Sequence, residues 1–179
     1  MPRFVVLLRG VNVGKAKRVP MADFRALLEG LGYGEVSTLL NSGNAVFSAA
    51  RGAPGQHAED IRAALLAQLQ VEVPVIVKTA REMAAIVAES PMEVDAELHS
   101  RFLIAFTQES EALQSLAAIE PLLHPQERFA IGPHAAYLFC GVGILESKAG
   151  EALLGKAGRL ATTRNWATTL KLLALLGRT

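Results

Sequence analysis

Phe4-Val5-Val6-Leu7-Leu8-Arg9-Gly10-Val11-Asn12-Val13-Gly14 begins as an unbroken apolar run and ends in polar residues and glycines. Five consecutive apolar residues predict a strand buried on both faces. A buried strand that gives way to Arg9, Gly10 and Asn12 presents a charge and an amide from a rigid base, which is how a scaffold displays a site. Lys15, Lys17 and Arg18 follow, and no acidic residue precedes Asp23.

Outward from this segment the pattern alternates between helix and strand. Pro20 suits the first turn of a helix, and Phe24, Leu27, Leu28 and Leu31 recur at helical spacing before Gly32, predicting a helix over 21–31. Val36 to Leu40 and Ala45 to Ser48 read as strands around Asn41-Ser42-Gly43-Asn44, whose residue types tolerate the positive φ of a hairpin. Ile61, Leu65, Leu66 and Leu69 mark a helix over 56–70. Val73, Val75 and Val77 alternate as a strand, which Pro74 assigns to a sheet edge. Strand, helix, strand, strand, helix, strand is the split βαβ order of ferredoxin-like folds.

The second half repeats most of that order. Arg81 to Ala88 reads as a short helix and Pro91 to Ser100 as a linker. Phe102, Ile104 and Phe106 form a strand, and Ala112 to Ile119 a helix ended by Pro121. Glu127 to Ile131 and Ala136 to Phe139 are strands about Gly132-Pro133-His134, followed by helices over 151–160 and from Trp166 to Leu176. The expected fold is α+β, with two linked ferredoxin-like subdomains over 1–90 and 91–179.

The 179 residues are 51% hydrophobic and 20% charged, an ordinary globular composition. No apolar run reaches the roughly 18 residues of a membrane span, no secretory leader is visible, and a lone Cys140 excludes an internal disulfide. A cytoplasmic protein with no membrane partner is expected. The net charge of +1 conceals an uneven distribution: residues 3–20 carry five cations and no acid, whereas fifteen of the seventeen acids lie between 21 and 145. Two basic ends around an acidic middle predict that the ends share a face for an anion.

Most chemical motifs fail on inspection. Gly150 to Lys156 has P-loop spacing, but Ala157 stands where a magnesium-binding hydroxyl belongs. Glu93, Asp95, Glu97 and His99 alternate and read as a solvated linker rather than a cation site. No serine-hydrolase elbow exists, and Gly141-Val142-Gly143 lacks the third glycine of a dinucleotide fingerprint. Two features survive. One is the hairpin Asn41 to Asn44. The other is Thr162-Thr163-Arg164-Asn165-Trp166, read as the capped start of the last helix, where free N–H groups beside Arg164 attract an anion.

Leu8-Arg9-Gly10-Val11-Asn12-Val13-Gly14, Val19-Pro20-Met21, Asn41-Ser42-Gly43-Asn44-Ala45-Val46-Phe47, Ser147-Lys148 and Thr163-Arg164-Asn165-Trp166 through Lys171-Leu172 resemble, in this order, the domain-of-unknown-function family numbered 1697. The resemblance implies two linked ferredoxin-like subdomains and adds site candidates, but no activity. Asn41 stands where the family tends to have glutamine, Ala167 where it tends to have asparagine, and Glu146 where it tends to have a basic residue.

The expected ligand-binding set is Arg9, Gly10, Asn12, Lys15, Ser42 and Asn44 from the first half and Ser147, Lys148, Thr163, Arg164 and Asn165 from the second, without metal or cofactor. Three readings stand side by side. The residues bind a phosphate-bearing ligand, nucleotide or nucleic acid, between the first strand-loop and the last helix. They act on a small anionic metabolite, although no catalytic residue is identifiable. Or they tie the architecture together and bind nothing. The sequence does not fix the oligomeric state.

Overall fold

The computed structural model describes residues 1–14 and 17–177, so Lys15 falls outside the described residues. The chain forms two compact units, one of Met1–Met83 together with the chain from Leu172, the other of Ala84–Lys171. The sequence reading placed the division at 90/91, and here it falls at Met83/Ala84.

In the first unit, β1 (Arg3–Leu8), α1 (Met21–Gly30), β2 (Gly34–Leu39), β3 (Asn44–Ser48), α2 (Pro54–Leu69) and β4 (Val75–Thr79) follow in sequence. The sheet order is β2-β3-β1-β4, with every neighbouring pair antiparallel. This is the split βαβ arrangement read from the sequence, with β4 at an edge as Pro74 required. Phe4, Val6, Leu8, Phe47, Val75 and Val77 pack with Phe24, Leu28, Ile61 and Leu65 of α1 and α2. Val5 and Leu7, on the opposite face of β1, are equally buried, which accounts for a continuous rather than alternating apolar run.

The second unit repeats the topology. α3 (Ala80–Ala88) bridges from β4, and then come β5 (Phe102–Thr107), α4 (Ser110–Ser115), β6 (Arg128–Ile131), β7 (Ala136–Phe139), α5 (Lys148–Leu154), β8 (Ala161–Asn165) and α6 (Trp166–Leu176). Sheet order β6-β7-β5-β8, again antiparallel throughout, maps strand for strand onto the first. Leu103, Ala105 and Leu138 pack against Leu113, Leu116, Ile119 and Leu153. On the other face Phe102 stacks on Trp166 with centroids 5.0 Å apart, so Trp166 anchors α6.

Several boundaries shift from expectation. The helix expected over 112–119 becomes 3₁₀ from Leu116 to Leu122, with Pro121 inside it. The helix expected over 151–160 starts earlier and stops at Leu154, because Gly155 leaves helical backbone (φ −105°, ψ −140°). The expected linker holds a 3₁₀ turn, Ala96–Arg101. The largest correction is β8: Thr162 and Thr163 do not cap a helix but lie in a strand paired with β5, Ile104 opposite Arg164.

Candidate functional site

The connection from β1 to α1, residues 9–20, is the longest between consecutive elements of the first unit. Its root is fixed by backbone bonds on two sides: Leu8 N–H donates to Gly43 O at 2.9 Å and Arg9 N–H to Pro74 O at 3.1 Å. Gly10, Asn12 and Gly14 all have left-handed backbone, with φ of 66°, 57° and 56°. Alternating left-handed residues fold the chain back on itself.

Asn12 holds this loop closed. Its N–H donates to Lys17 O at 2.9 Å, its Nδ2 donates to Val19 O and Asn41 O, both at 2.8 Å, and its Oδ1 accepts from Val19 N–H at 2.8 Å. An asparagine side chain that satisfies a backbone donor and two carbonyls mimics a strand neighbour. Val11 and Val19 are buried and pin both arms of the loop. The Lys17 ammonium donates to Glu72 O. Arg9 is half-buried, and desolvation lowers its pKa. Arg18 is exposed.

The hairpin turn abuts the loop. Asn44 is fully buried and its Nδ2 donates to Leu39 O at 3.0 Å and Ser42 Oγ at 2.9 Å. Gly43 has φ 84°, and a Cβ there would lie 2.7 Å from Leu8 Cβ and 2.8 Å from Val11 Cγ2. Only glycine lets the turn close over the end of β1. Of the expected set, Arg9, Gly10, Asn12, Ser42 and Asn44 therefore gather at one end of the first sheet.

The second-unit candidates are distributed differently. Ser147 is buried and caps α5, its Oγ accepting from Gly150 N–H at 2.9 Å, while Lys148 is exposed at the first position of that helix. Ser147 also bonds to the Cys140 thiol, whose pKa is pushed up chiefly by burial. Arg164 lies within β8, only 8% exposed, with Nη1 donating to Thr162 Oγ1 and Thr163 O at 2.7 Å each; burial lowers its pKa to about 10. Asn165 caps α6, its Oδ1 accepting from Thr168 N–H at 2.9 Å. Thr163 contributes its carbonyl to Arg164 rather than a cap to the helix.

Among the described residues no group of three or more His, Cys, Asp and Glu side chains is placed to hold a metal. His99 of the acidic linker uses Nε2 on Val94 O at 3.0 Å. The sequence reading passed over Leu40, which is 55% exposed and held at φ 58°. Nothing in its residue type signals a left-handed backbone. His57 Nδ1 shares a 2.8 Å hydrogen bond with Tyr33 Oη inside an aromatic cluster with Phe4 and Phe47.

The family model described as "Protein of unknown function (DUF1697)" matches residues 1–137. The chain belongs to this DUF1697 family. Its structure is similar to that of the conserved bacterial protein SP0830 from Streptococcus pneumoniae, with a TM-score of 0.82 and 24% identity over 98% of each chain. At that identity the likeness shows a shared fold. No curated protein matches. No helix among the described residues is long and apolar enough to cross a membrane.

Proposed function

We propose that this DUF1697 protein binds a phosphate-bearing ligand, the class to which nucleotides and nucleic acids belong, at the 9–20 loop of its first unit. One observation carries the reading. The same topological connection takes twelve residues in the first unit and two, Gln108 and Glu109, in the second. A long loop inside a compact α+β unit is characteristically functional. This one concentrates Arg9, Lys17 and Arg18 and contains no carboxylate, whereas its short counterpart carries Glu109 and is followed by Glu111. Cations on a loop without carboxylates suit phosphate oxygens. Arg164 is buried, and its Nη1 donates to Thr162 Oγ1 and Thr163 O of its own strand.

A second reading, that the polar motifs are architectural, is favoured for the asparagines. Asn12 bonds to Val19 O, Asn44 to Leu39 O and Asn165 to Thr168 N–H, all neighbouring protein groups. They shape the loop, and the cations meet the ligand.

Calorimetric titration of tripolyphosphate and of a short single-stranded oligonucleotide, repeated across salt concentrations, tests the proposal. Affinity should fall linearly with log salt, and Arg18→Gln should reduce the oligonucleotide slope by about 0.7. Binding that is absent, or unmoved by salt, would end it.

A further inference from the structure

The second unit contains a cleft that the phosphate-binding reading does not use. Its volume is about 230 Å³, and it lies between the helical stretch after β5 and the segment that leads into β8. Buried Leu116 and Ala161 form its floor, and exposed Arg159 and Leu160 stand at its mouth. Ala112 and Ala157 line the walls. Two local features keep the space open. Ala161 starts β8 opposite Thr107, the place that Val75 takes opposite Leu8 in the first unit, where the valine belongs to the core. A methyl group thus stands at the floor where the other unit has an isopropyl. Gly158 ends the 3₁₀ turn Lys156–Gly158, and a Cβ there would lie 1.8 Å from Leu153 O. Only glycine allows that approach, which fixes the backbone immediately before Arg159 and Leu160.

The lining selects the chemistry of a guest. Among the described lining residues Arg159 alone is charged, and no hydrogen bond or ion pair engages its guanidinium among the described residues. Ser115 donates its hydroxyl proton to Ala112 O at 2.6 Å, so the anion-binding donor is the guanidinium. A guanidinium grips a carboxylate through two parallel bonds, and the alanine and leucine surfaces favour an alkyl chain. Sites for drug-sized ligands run upward from about 300 Å³, so a nucleotide is too large. Inorganic phosphate would use the cation and leave the apolar floor uncovered. We propose that this cleft binds a small aliphatic carboxylate, its carboxylate on Arg159 and its chain over Leu116, Ala161 and Leu160. The proposal is independent of the 9–20 loop, which belongs to the first unit.

NMR titration of the full chain, observed at its backbone amides, with acetate, propanoate, butanoate and butanol tests this. Butanoate should shift amides over 112–118 and 157–161 and bind more tightly than butanol. Propanoate and butanoate should each bind about fourfold tighter than the acid one methylene shorter. Arg159→Gln, which loses no bond within the fold, should weaken butanoate about tenfold and leave butanol unchanged. Ala112→Leu, a replacement that suits the helix and fills the cleft, should abolish both. Arg18→Gln should alter neither. Butanol binding as tightly as butanoate, or Arg159→Gln without effect, overturns the carboxylate assignment. Amide shifts absent from 112–118 and 157–161, or undiminished binding by a folded Ala112→Leu variant, overturn the site. Should Ala112→Leu not fold, Arg159→Gln decides alone. Butanoate binding that Arg18→Gln weakens would place the carboxylate on the loop and overturn the proposal while leaving the phosphate reading intact.

Discussion

The two units of the chain share a strand order and differ in what they do with it. The first unit places a twelve-residue basic loop after its first strand and a sixteen-residue helix, α2, after its hairpin. The second joins the equivalent elements through two residues and shortens the matching helix to the seven residues of α5. Equivalent positions nevertheless persist. Lys78 is the fourth residue of β4 and Arg164 the fourth of β8; each lies opposite an apolar residue of the first strand, Val5 or Ile104, and each is buried. Features common to both units thus concern the frame, and features confined to one are where function is to be sought.

The sharpest way to break this comparison is at Gly43, where the basic loop leans on the hairpin. Gly43→Ala adds a methyl against Leu8 and Val11 at a backbone angle that disfavours any side chain. Overpacking together with left-handed strain should cost about 2–4 kcal/mol, read as a lowered denaturant midpoint. The hairpin of the second unit offers a control. Gly132→Ala approaches Tyr137 Cε2 and Ala135 O at 3.0 and 3.2 Å, without positive φ, and should cost less. Equal losses would mean that the two turns are held alike.

Each unit contains one of the chain's two tyrosines, so alkaline titration compares the units directly. Tyr33 and Tyr137 are both raised to about 12, first by burial and then by Asp60 and Glu89 respectively. A phenol whose folded value lies above the roughly 10 of an unfolded chain holds its proton more tightly when folded. Its contribution is therefore complete below pH ~10 and declines as pH rises towards 12. Tyrosinate absorbance should appear late and together with loss of structure. In Tyr137→Phe, which also frees Ile86 O from its 2.6 Å donor, the remaining signal reports the first unit alone. A tyrosine that ionises near pH 10 in the intact fold would show that its unit does not bury the hydroxyl.

Asn12→Ala sharpens the contrast from the loop side. It removes side-chain bonds to Val19 N–H, Val19 O and Asn41 O and places alanine at φ 57°. The loop is partly exposed, and water replaces some of what is lost, so a stability cost of about 1–2 kcal/mol is expected. Amide exchange should accelerate at Val19 and leave the second unit unchanged.

What the sequence disclosed and what it hid follow the same division. The opening strand, the hairpin and the edge position of β4 were legible because a run of five apolar residues, an Asn-Gly turn and a proline each leave few alternatives. β8 was not. Ala161-Thr162-Thr163-Arg164-Asn165 is polar, has a guanidinium at its fourth position, and runs into α6 without an intervening loop. Threonines before an apolar helix fit a cap as well as a strand, and only pairing with β5 decides between them. At the candidate site the residue types were legible but their duties were not. Asn12 and Asn44 looked like ligand groups because the backbone groups they satisfy cannot be seen in one dimension.

The smallest effects test whether the strand-to-helix junctions are equivalent. In the first unit Thr79 Oγ1 accepts from Glu82 N–H at 3.0 Å and Glu82 Oε2 accepts from Thr79 N–H at 2.9 Å, a reciprocal capping box at the start of α3. At the corresponding junction Asn165 caps α6 through a bond to Thr168 N–H, and Thr169 Oγ1 returns a bond to Asn165 O at 3.0 Å. The two devices satisfy orphan donors by different side chains at the same topological point. Thr79→Ala and Asn165→Ala should therefore each cost about 1 kcal/mol. Glu82→Gln should retain most of the first cap, because an amide oxygen still accepts from Thr79, whereas Thr168→Val should leave the second cap intact, because it is the backbone N–H of that residue that is bound. A markedly larger loss at Asn165 than at Thr79 would separate the junctions and assign β8 more than the duties of a repeated frame.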